Sequence, residues 1–284
     1  MLFCSSYFNF GAFQAAGYAD TSTGQLVYDG SGISVPYKLK PAIDLNPTII
    51  IGGSETISYG NKVKAGTIAN MPISGGANTR IYIQGLDWIT DLGDLAKFTI
   101  SSKNPSLTIA SKRLQRLKLG DSDASLMENH ISNNSTIKSI TFGYCPSMEL
   151  IDCQNLSTLT GTIDLTQIPR LQKAFLGGTS ITELKLPTGA KLDELQLPDT
   201  LTTLELKNLK FLTNEGFKYN SINKISRLVI EGCNINSFAL LKDAYNKGTE
   251  LKYIRLVGFN YNGTSEDLDM LANIVNNTNG LGEH

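Results

Sequence analysis

The chain repeats a six-residue motif, apolar-x-x-apolar-x-apolar, at nearly even intervals, and a period of this kind constrains the fold before any local feature does. The motif opens at Leu114 (with Leu117 and Leu119), Ile137 (Ile140, Phe142), Thr160 (Ile163, Leu165) and Ile181 (Leu184, Leu186). It returns at Leu201 (Leu204, Leu206), Ile225 (Leu228, Ile230) and Leu251 (Ile254, Leu256). Only Thr160 departs from the apolar rule, and the mean step is about 23 residues. A second series runs half a period out of phase from Met148 (Ile151, Cys153) through Leu171 (Ala174, Leu176) to Leu192 (Leu195, Leu197). No single motif can bury its own apolar side, so successive copies must stack, each strand turning alternate side chains inward. Two interleaved series therefore predict a flattened coil with a sheet on either face.

Later copies change character. In Asn236–Gly248 the residues Phe238, Leu241 and Tyr245 share one helical face, with Asn or Ser as a cap before them and glycine after. Thr264 to Asp267 forms a capping-box pattern that opens a second helix, whose buried face is expected to be Leu268, Leu271 and Val275. Those turns are expected to carry helices on the outer face. Upstream the register weakens through Leu95 (Phe98, Ile100) and Asn104 (Leu107, Ile109). Earlier still, the alternation in Arg80–Gln84 and the apolar run Thr48–Ile51, bounded by Pro47 and Gly52-Gly53, read as strands. A joint at Pro72–Asn78 divides the chain into a small β-rich N-terminal region, residues 1–77, and a solenoid, residues 78–284.

Composition agrees with many short elements. Of 284 residues, 41% are apolar, enough for a sizeable core, and only 18% are charged against the roughly 25% usual for soluble domains. Asn, Ser, Thr and Gly, the residues of turns, take their place. A net charge of −1 argues against a polybasic nucleic-acid binder and against an acidic tail. No run reaches the length of a membrane-spanning helix. The uncharged stretch Met1–Ala19 invites a signal-peptide reading, but it lacks a positive start and is interrupted by Ser5, Ser6, Asn9 and Gln14. The other reading of that stretch is an apolar β segment.

The repeats resemble a leucine-rich repeat protein of the irregular bacterial type, whose period is 20–29 residues and whose strands are followed by Asn or Cys. Cys145 stands three places after Phe142, Cys233 three after Ile230, and Thr179 three after Leu176. Longer phrases narrow the likeness: Tyr82–Leu95, Leu159-Thr-Gly-Thr-Ile-Asp-Leu165 and Leu197-Pro-Asp-Thr-Leu-Thr-Thr-Leu-Glu-Leu206. They resemble the repeat region of large structural, tail-associated proteins of gut bacteriophages and prophages, and are related in pattern to surface proteins of gut bacteria. The likeness covers roughly Ile81 to Leu271. It implies an α/β solenoid of leucine-rich repeats, β-rich and right-handed, with helices outside the later turns. It also implies that the chain continues past Gly280–His284, where another strand is due, and that residues 1–77 belong to a preceding module.

Chemical constellations are sparse. A histidine-dependent site could be built only on His130, since the other histidine is the terminal His284, and His130 reads as a spacer between repeat strands. Cys4, Cys145, Cys153 and Cys233 lack metal-ligand spacing, and the last three are expected as buried free thiols. Asp87, Asp91, Asp94, Asp121 and Asp123 read as turn and cap residues, because no calcium loop completes around Asp121 and Asp123. The pairs Gly52-Gly53, Gly75-Gly76 and Gly177-Gly178 lack a phosphate loop's lysine. No catalytic residue, metal or cofactor is expected.

What remains is surface. In the main series the third and fifth motif residues face outward. The third positions are Arg116, Ser139, Thr162, Glu183, Thr203, Arg227 and Tyr253, and the fifth are Lys118, Thr141, Asp164, Lys185, Glu205, Val229 and Arg255. The candidate binding residues on this face are Arg116, Lys118, Glu183, Lys185, Glu205, Arg227, Tyr253 and Arg255. Mixed charge and one aromatic offer neither a phosphate track nor a stacking platform. In the second series Leu150 and Phe175 are expected to form an exposed packing patch beside Lys173, Glu194 and Gln196. The expectation is a non-enzymatic structural or adhesion module of a phage virion, or of a bacterial cell surface. Its partner would be protein, a virion neighbour or a host surface component, or a glycan; nucleic acid and a membrane span are not expected. A tailspike-like polysaccharide depolymerase is the alternative from another class, and would need a carboxylate pair such as Asp164 and Glu183 across a groove.

Overall fold

The computed structural model describes residues 106–119, 136–258 and 264–277, apart from the side chains of Ser237, Leu271 and 275–277, and seven earlier strands as backbone. Those are β1 (Gln25–Gly30), β2 (Tyr37–Pro41), β3 (Thr48–Ile51), β4 (Glu55–Ser58), β5 (Ala69–Met71), β6 (Thr79–Gln84) and β7 (Ile89–Asp91). The strands expected at 48–51 and 80–84 are both present. Leu95, Phe98 and Ile100 lie outside the described residues.

Beyond them the chain winds as a parallel β-solenoid of about four turns. Its elements are β8 (Ser106–Ala110), β9 (Arg116–Lys118), β10 (Ser139–Phe142), β11 (Leu150–Asp152), β12 (Thr160–Asp164), β13 (Lys173–Phe175), β14 (Ser180–Lys185) and β15 (Glu194–Gln196). After these come β16 (Thr203–Lys207), β17 (Phe217–Lys218), β18 (Arg227–Glu231), α1 (Ser237–Asn246), β19 (Tyr253–Val257) and α2 (Ser265–Asn277). One parallel sheet runs β9-β11-β13-β15-β17 and a second runs β12-β14-β16-β18-β19. A six-stranded sheet of order β10-β8-β1-β6-β3-β4 carries β1, antiparallel to β8, against the first coil strands. The three apolar motif positions of Leu192, Leu195 and Leu197, and of Leu201, Leu204 and Leu206, are all buried in one continuous core between the sheets. Each such leucine contributes about 1.5–3 kcal/mol by leaving water.

One assignment of the repeat is corrected. Leu114, Leu117 and Leu119 do not begin the series that continues at Ile137. Arg116 pairs with Leu150 and Lys118 with Asp152, so β9 stands in the sheet of the second series. The true predecessor of β10 is β8, in which Ser106 pairs with Ser139 and Ile109 with Phe142. The coil containing residues 120–135 is thus about ten residues longer than those after it. The 23-residue spacing from Leu114 to Ile137 is half a coil plus that insertion, which mimics a full period.

Turns close by stacking left-handed residues. Asn208 (φ 56°), Gly232 (φ 59°) and Gly258 (φ 76°) follow β16, β18 and β19 in one column. A Cβ on Gly232 would stand 2.8 Å from Asn208 Oδ1, so the lower asparagine fills the space that the upper glycine leaves open. Hydroxyl groups stitch the coils together. Thr158 Oγ1 donates to the Ile137 carbonyl (2.7 Å), Ser180 Oγ to Ser157 (2.6 Å), Thr200 Oγ1 to Ile181 (2.6 Å) and Thr202 Oγ1 to Thr182 (3.1 Å). Ser226 and Thr249 do likewise toward Thr202 and Ile222. In each of these bonds the later coil donates and the earlier one accepts.

Between β18 and β19 the second face carries α1 in place of a strand. Asn236 caps it, its side chain accepting from the Ala239 N–H at 3.0 Å, and Gly248 (φ 71°) follows its end. Leu240, Leu241 and Ala244 are its buried residues, with Phe238 packed beside them, whereas Tyr245 is exposed. The capping box of α2 forms as expected: Asp267 N–H donates to Thr264 Oγ1 and Thr264 N–H to Asp267 Oδ2. The expected inner face of α2 is contradicted at Leu268. Leu268 is 54% exposed, while Asp267, Met270 and Ile274 are buried. The ion pair of Lys242 with Asp267 (2.7 Å) joins α1 to α2 along that side. The side chains of Leu271 and Val275 lie outside the described residues.

Candidate functional site

The outward columns of the β12–β19 sheet are in register. Thr162 lies opposite Glu183, Glu183 opposite Thr203, Thr203 opposite Arg227 and Arg227 opposite Tyr253. In the other column Asp164 faces Lys185, and Glu205, Val229 and Arg255 follow one another. Charges on this face are joined across and along strands. Thr162 Oγ1 donates to Glu183 Oε2 at 2.7 Å, and Lys185 Nζ lies 3.9 Å from Glu183. Glu205 accepts from Lys207 Nζ and from Arg227 Nε, each at 2.8 Å. Arg255 pairs with Glu231, and the Arg227 guanidinium sits 3.9 Å from the centre of the Tyr253 ring. Most arginines and lysines of this face therefore stand paired with carboxylates rather than as loose charges.

Val229 occupies an outward position and is nevertheless 1% exposed. The long residues flanking it, Glu205 and Arg255 in its column and Arg227 and Glu231 on its strand, are placed to shield it with their aliphatic stems.

The hydrogen bond from Lys207, and next that from Arg227, hold the Glu205 carboxyl below its ordinary range. A carboxyl whose native pKa is lowered adds stability above its unfolded value of about 4.3, and that stability disappears as pH falls through the native value. Glu205→Gln is accordingly expected to cost about 1 kcal/mol or less between pH 6 and 8, since the pair is partly exposed. In urea titrations the cost should shrink as pH falls below the unfolded value of about 4.3 and vanish only once pH is below the lowered native value. A difference that persists unchanged in acid would show that charge at Glu205 is not what stabilises.

The second face holds Arg116 and Lys118, so the candidate residues divide between two sheets. Its columns are Arg116, Leu150, Lys173, Glu194 and Lys118, Asp152, Phe175, Gln196, Lys218. Lys173 pairs with Glu194. The exposed apolar patch expected here is not present: Phe175 is only 9% exposed and Leu150 is half-buried. Lys118 is 8% exposed and Asp152 is fully buried. This column is covered over β9, β11 and β13 and opens only at Gln196 and Lys218. Outward direction from a strand is thus not exposure. Asp152 was missed, although it holds in β11 the position that Phe175 holds in β13.

Cys145 and Cys153 are buried free thiols and Cys233 is half-buried. Burial, and secondarily the Asp152 carboxylate, pushes the Cys153 thiol far up, away from the reactive thiolate. His130, His284, Cys4, Asp87, Asp94, Asp121 and Asp123 lie outside the described residues, and Asp91 is placed only as backbone in β7. Among the described residues no group of three or more His, Cys, Asp or Glu could hold a metal ion. No helix among them is long and apolar enough to cross a membrane. Asp164 and Glu183 stand in different columns, and the Thr166 hydroxyl holds the Asp164 carboxyl low. A glycosidase acid requires the opposite shift. A cleft of about 550 Å³ between the end of α1, the turn Gly248–Lys252 and Ile274 of α2 was not foreseen from the sequence. No family model, curated protein or solved structure matches this chain.

Proposed function

We propose that the chain is a non-enzymatic leucine-rich repeat module, a rigid scaffold that binds a protein or a cell-surface component through the outward face of the β12–β19 sheet. The observation that carries this reading is the run Glu205, Arg227, Tyr253, Arg255 and Glu231, whose side chains are locked by ion pairs and a cation–ring contact around the shielded Val229. Side chains already fixed lose little rotamer freedom on binding. The leucine-rich repeat assignment is supported by the core places of Cys145 and Thr179 after their strands and by the helix that enters between β18 and β19. By the resemblance of the longer phrases, the setting is a tail-associated protein of a phage virion.

The test is a pull-down with the whole chain against purified virion proteins and intact host bacteria, with bound species identified by mass spectrometry. Virion proteins are expected, with retention reduced about tenfold or more in the Tyr253→Ala, Arg255→Ala double variant. Recovery of a host surface component would instead make the module an adhesin. Capture unaffected by the double variant would remove this face from the proposal.

A further inference from the structure

The turns along one edge of the coils differ in charge from those along the other. Leading from the main series to the second are four turns of five residues, 143–147, 166–170, 187–191 and 207–211, which hold Arg170, Lys191, Lys207 and Lys210 and no carboxylate. The turns of the opposite edge, 154–159, 177–180, 198–200 and 220–224, hold one lysine, Lys224, and one carboxylate, Asp199. Equal turn lengths put Arg170, Lys191 and Phe211 at equivalent places, each one residue before a buried leucine, Leu171, Leu192 or Leu212. They form a column on successive coils, about 4.8 Å apart. Contact within the column agrees, since Lys191 Nζ lies 5.9 Å from the centre of the Phe211 ring. Phe211 is 54% exposed, and Tyr144, in an earlier turn of the same edge, 59%. Among the described residues from 136 to 236 no other large apolar side chain is exposed. Arg170 has Glu149 at 4.0 Å and Lys207 turns to Glu205, whereas among the described residues Lys191 and Lys210 have no carboxylate at ion-pair distance. The other acidic neighbour, Asp193, follows Leu192 on the side of the second sheet.

We propose that this edge is a second binding surface, for an acidic polysaccharide of uronic acid sugars laid along the solenoid axis. Such a chain carries one carboxylate per sugar, and an extended sugar unit is about as long as one coil is thick. Arg170, Lys191 and Lys210, one cation per coil, can then meet successive carboxylates. An exposed aromatic ring offers its apolar face to the C–H face of a pyranose, and Lys191 beside Phe211 brings charge and ring to the same sugar. The spacing argues against an acidic peptide: an extended one presents same-side carboxylates about 6.8 Å apart, out of step with the coils. It would also find turns here rather than a strand edge to extend. Nucleic acid fits poorly with a net charge of −1. None of Arg170, Lys191, Lys210 and Phe211 belongs to the β12–β19 sheet, so this surface stands or falls apart from the face proposed above.

Affinity electrophoresis of the full chain in gels carrying polygalacturonate tests this, with the fully methyl-esterified polymer, polyglutamate and oligo(dT) as comparison probes. Retardation by polygalacturonate is expected, weakened by salt and absent with the methyl ester, whose carboxyls are blocked. The Lys191→Glu, Lys210→Glu double variant should bind at least about tenfold more weakly and Phe211→Ser severalfold more weakly. Lys224→Glu, on the opposite edge, and the Tyr253→Ala, Arg255→Ala double variant should bind as the wild type does. Lys191, Lys210, Phe211 and Lys224 are all exposed, so their substitution leaves the core intact. Three results would overturn the inference: no retardation by polygalacturonate, retardation unchanged in the Lys191→Glu, Lys210→Glu variant, or tighter retention by polyglutamate or oligo(dT). The last would make the edge a site for an acidic peptide or a nucleic acid.

Discussion

Replacing Gly216 by alanine is expected to destabilise the protein by about 3 kcal/mol, the upper part of the range for forced overpacking. A Cβ at this position would lie 1.8 Å from the carbonyl oxygen of Asp193 and 2.9 Å from its carbon. Neither side can give way cheaply. The Gly216 carbonyl accepts from Leu195 N–H at 2.8 Å, and Asp193 N–H is itself bonded to the Gln172 carbonyl at 2.9 Å. Gly189 supplies the comparison: its φ is +73°, but nothing lies within 4 Å of its missing Cβ. Gly189→Ala should therefore cost only the backbone penalty of about 1 kcal/mol. Urea denaturation of both variants measures the contrast. Equal effects would mean that the coils do not approach as closely at Gly216 as described.

Leu204→Ala is expected to cost about 3–5 kcal/mol. The residue is fully buried in the middle strand of its sheet, opposite Leu228, within a core shared by successive coils. In a stacked architecture each coil is held largely by its neighbours, so a cavity there weakens the coils on either side as well. Amide hydrogen exchange should show lost protection in β14 and β18 together with β16. A cost under about 1 kcal/mol, or loss confined to β16, would mean that the coils are energetically independent.

How far the sequence discloses the fold depends on the element. From Ile137 to Leu206 the period is regular, each motif leucine lies where its phase puts it, and two-faced coils follow from periodicity alone. Near Leu114 the same logic misleads, because the motif records which residues face inward but not which of two sheets they join. An insertion close to half a period therefore passes for a whole one. In α2, the pattern offers Leu268 as readily as Met270 for the inner side, and what distinguishes them is packing between elements, Met270 and Ile274 entering the core while Asp267 pairs with Lys242 of α1, which no local pattern contains. Surface was harder still. Alternation correctly gave the directions of Val229 and Phe175, yet both are buried, because direction from a strand does not fix what covers it. The candidate face was legible as residues, while its ion pairs required the register of neighbouring strands.

The direction of the hydroxyl stitching bears on how the molecule is made. Thr158, Ser180, Thr200, Thr202, Ser226 and Thr249 all donate backward, to carbonyls of coils nearer the N-terminus. A ribosome delivers those carbonyls first. Each emerging coil then brings hydroxyl donors to carbonyls already in place, while the backbone bonds between coils run both ways, as in Leu165 N–H to Lys185 and Ser180 N–H to Leu159. Growth by addition to a finished surface, as at the face of a crystal, suits a chain whose order of appearance and order of stacking run the same way.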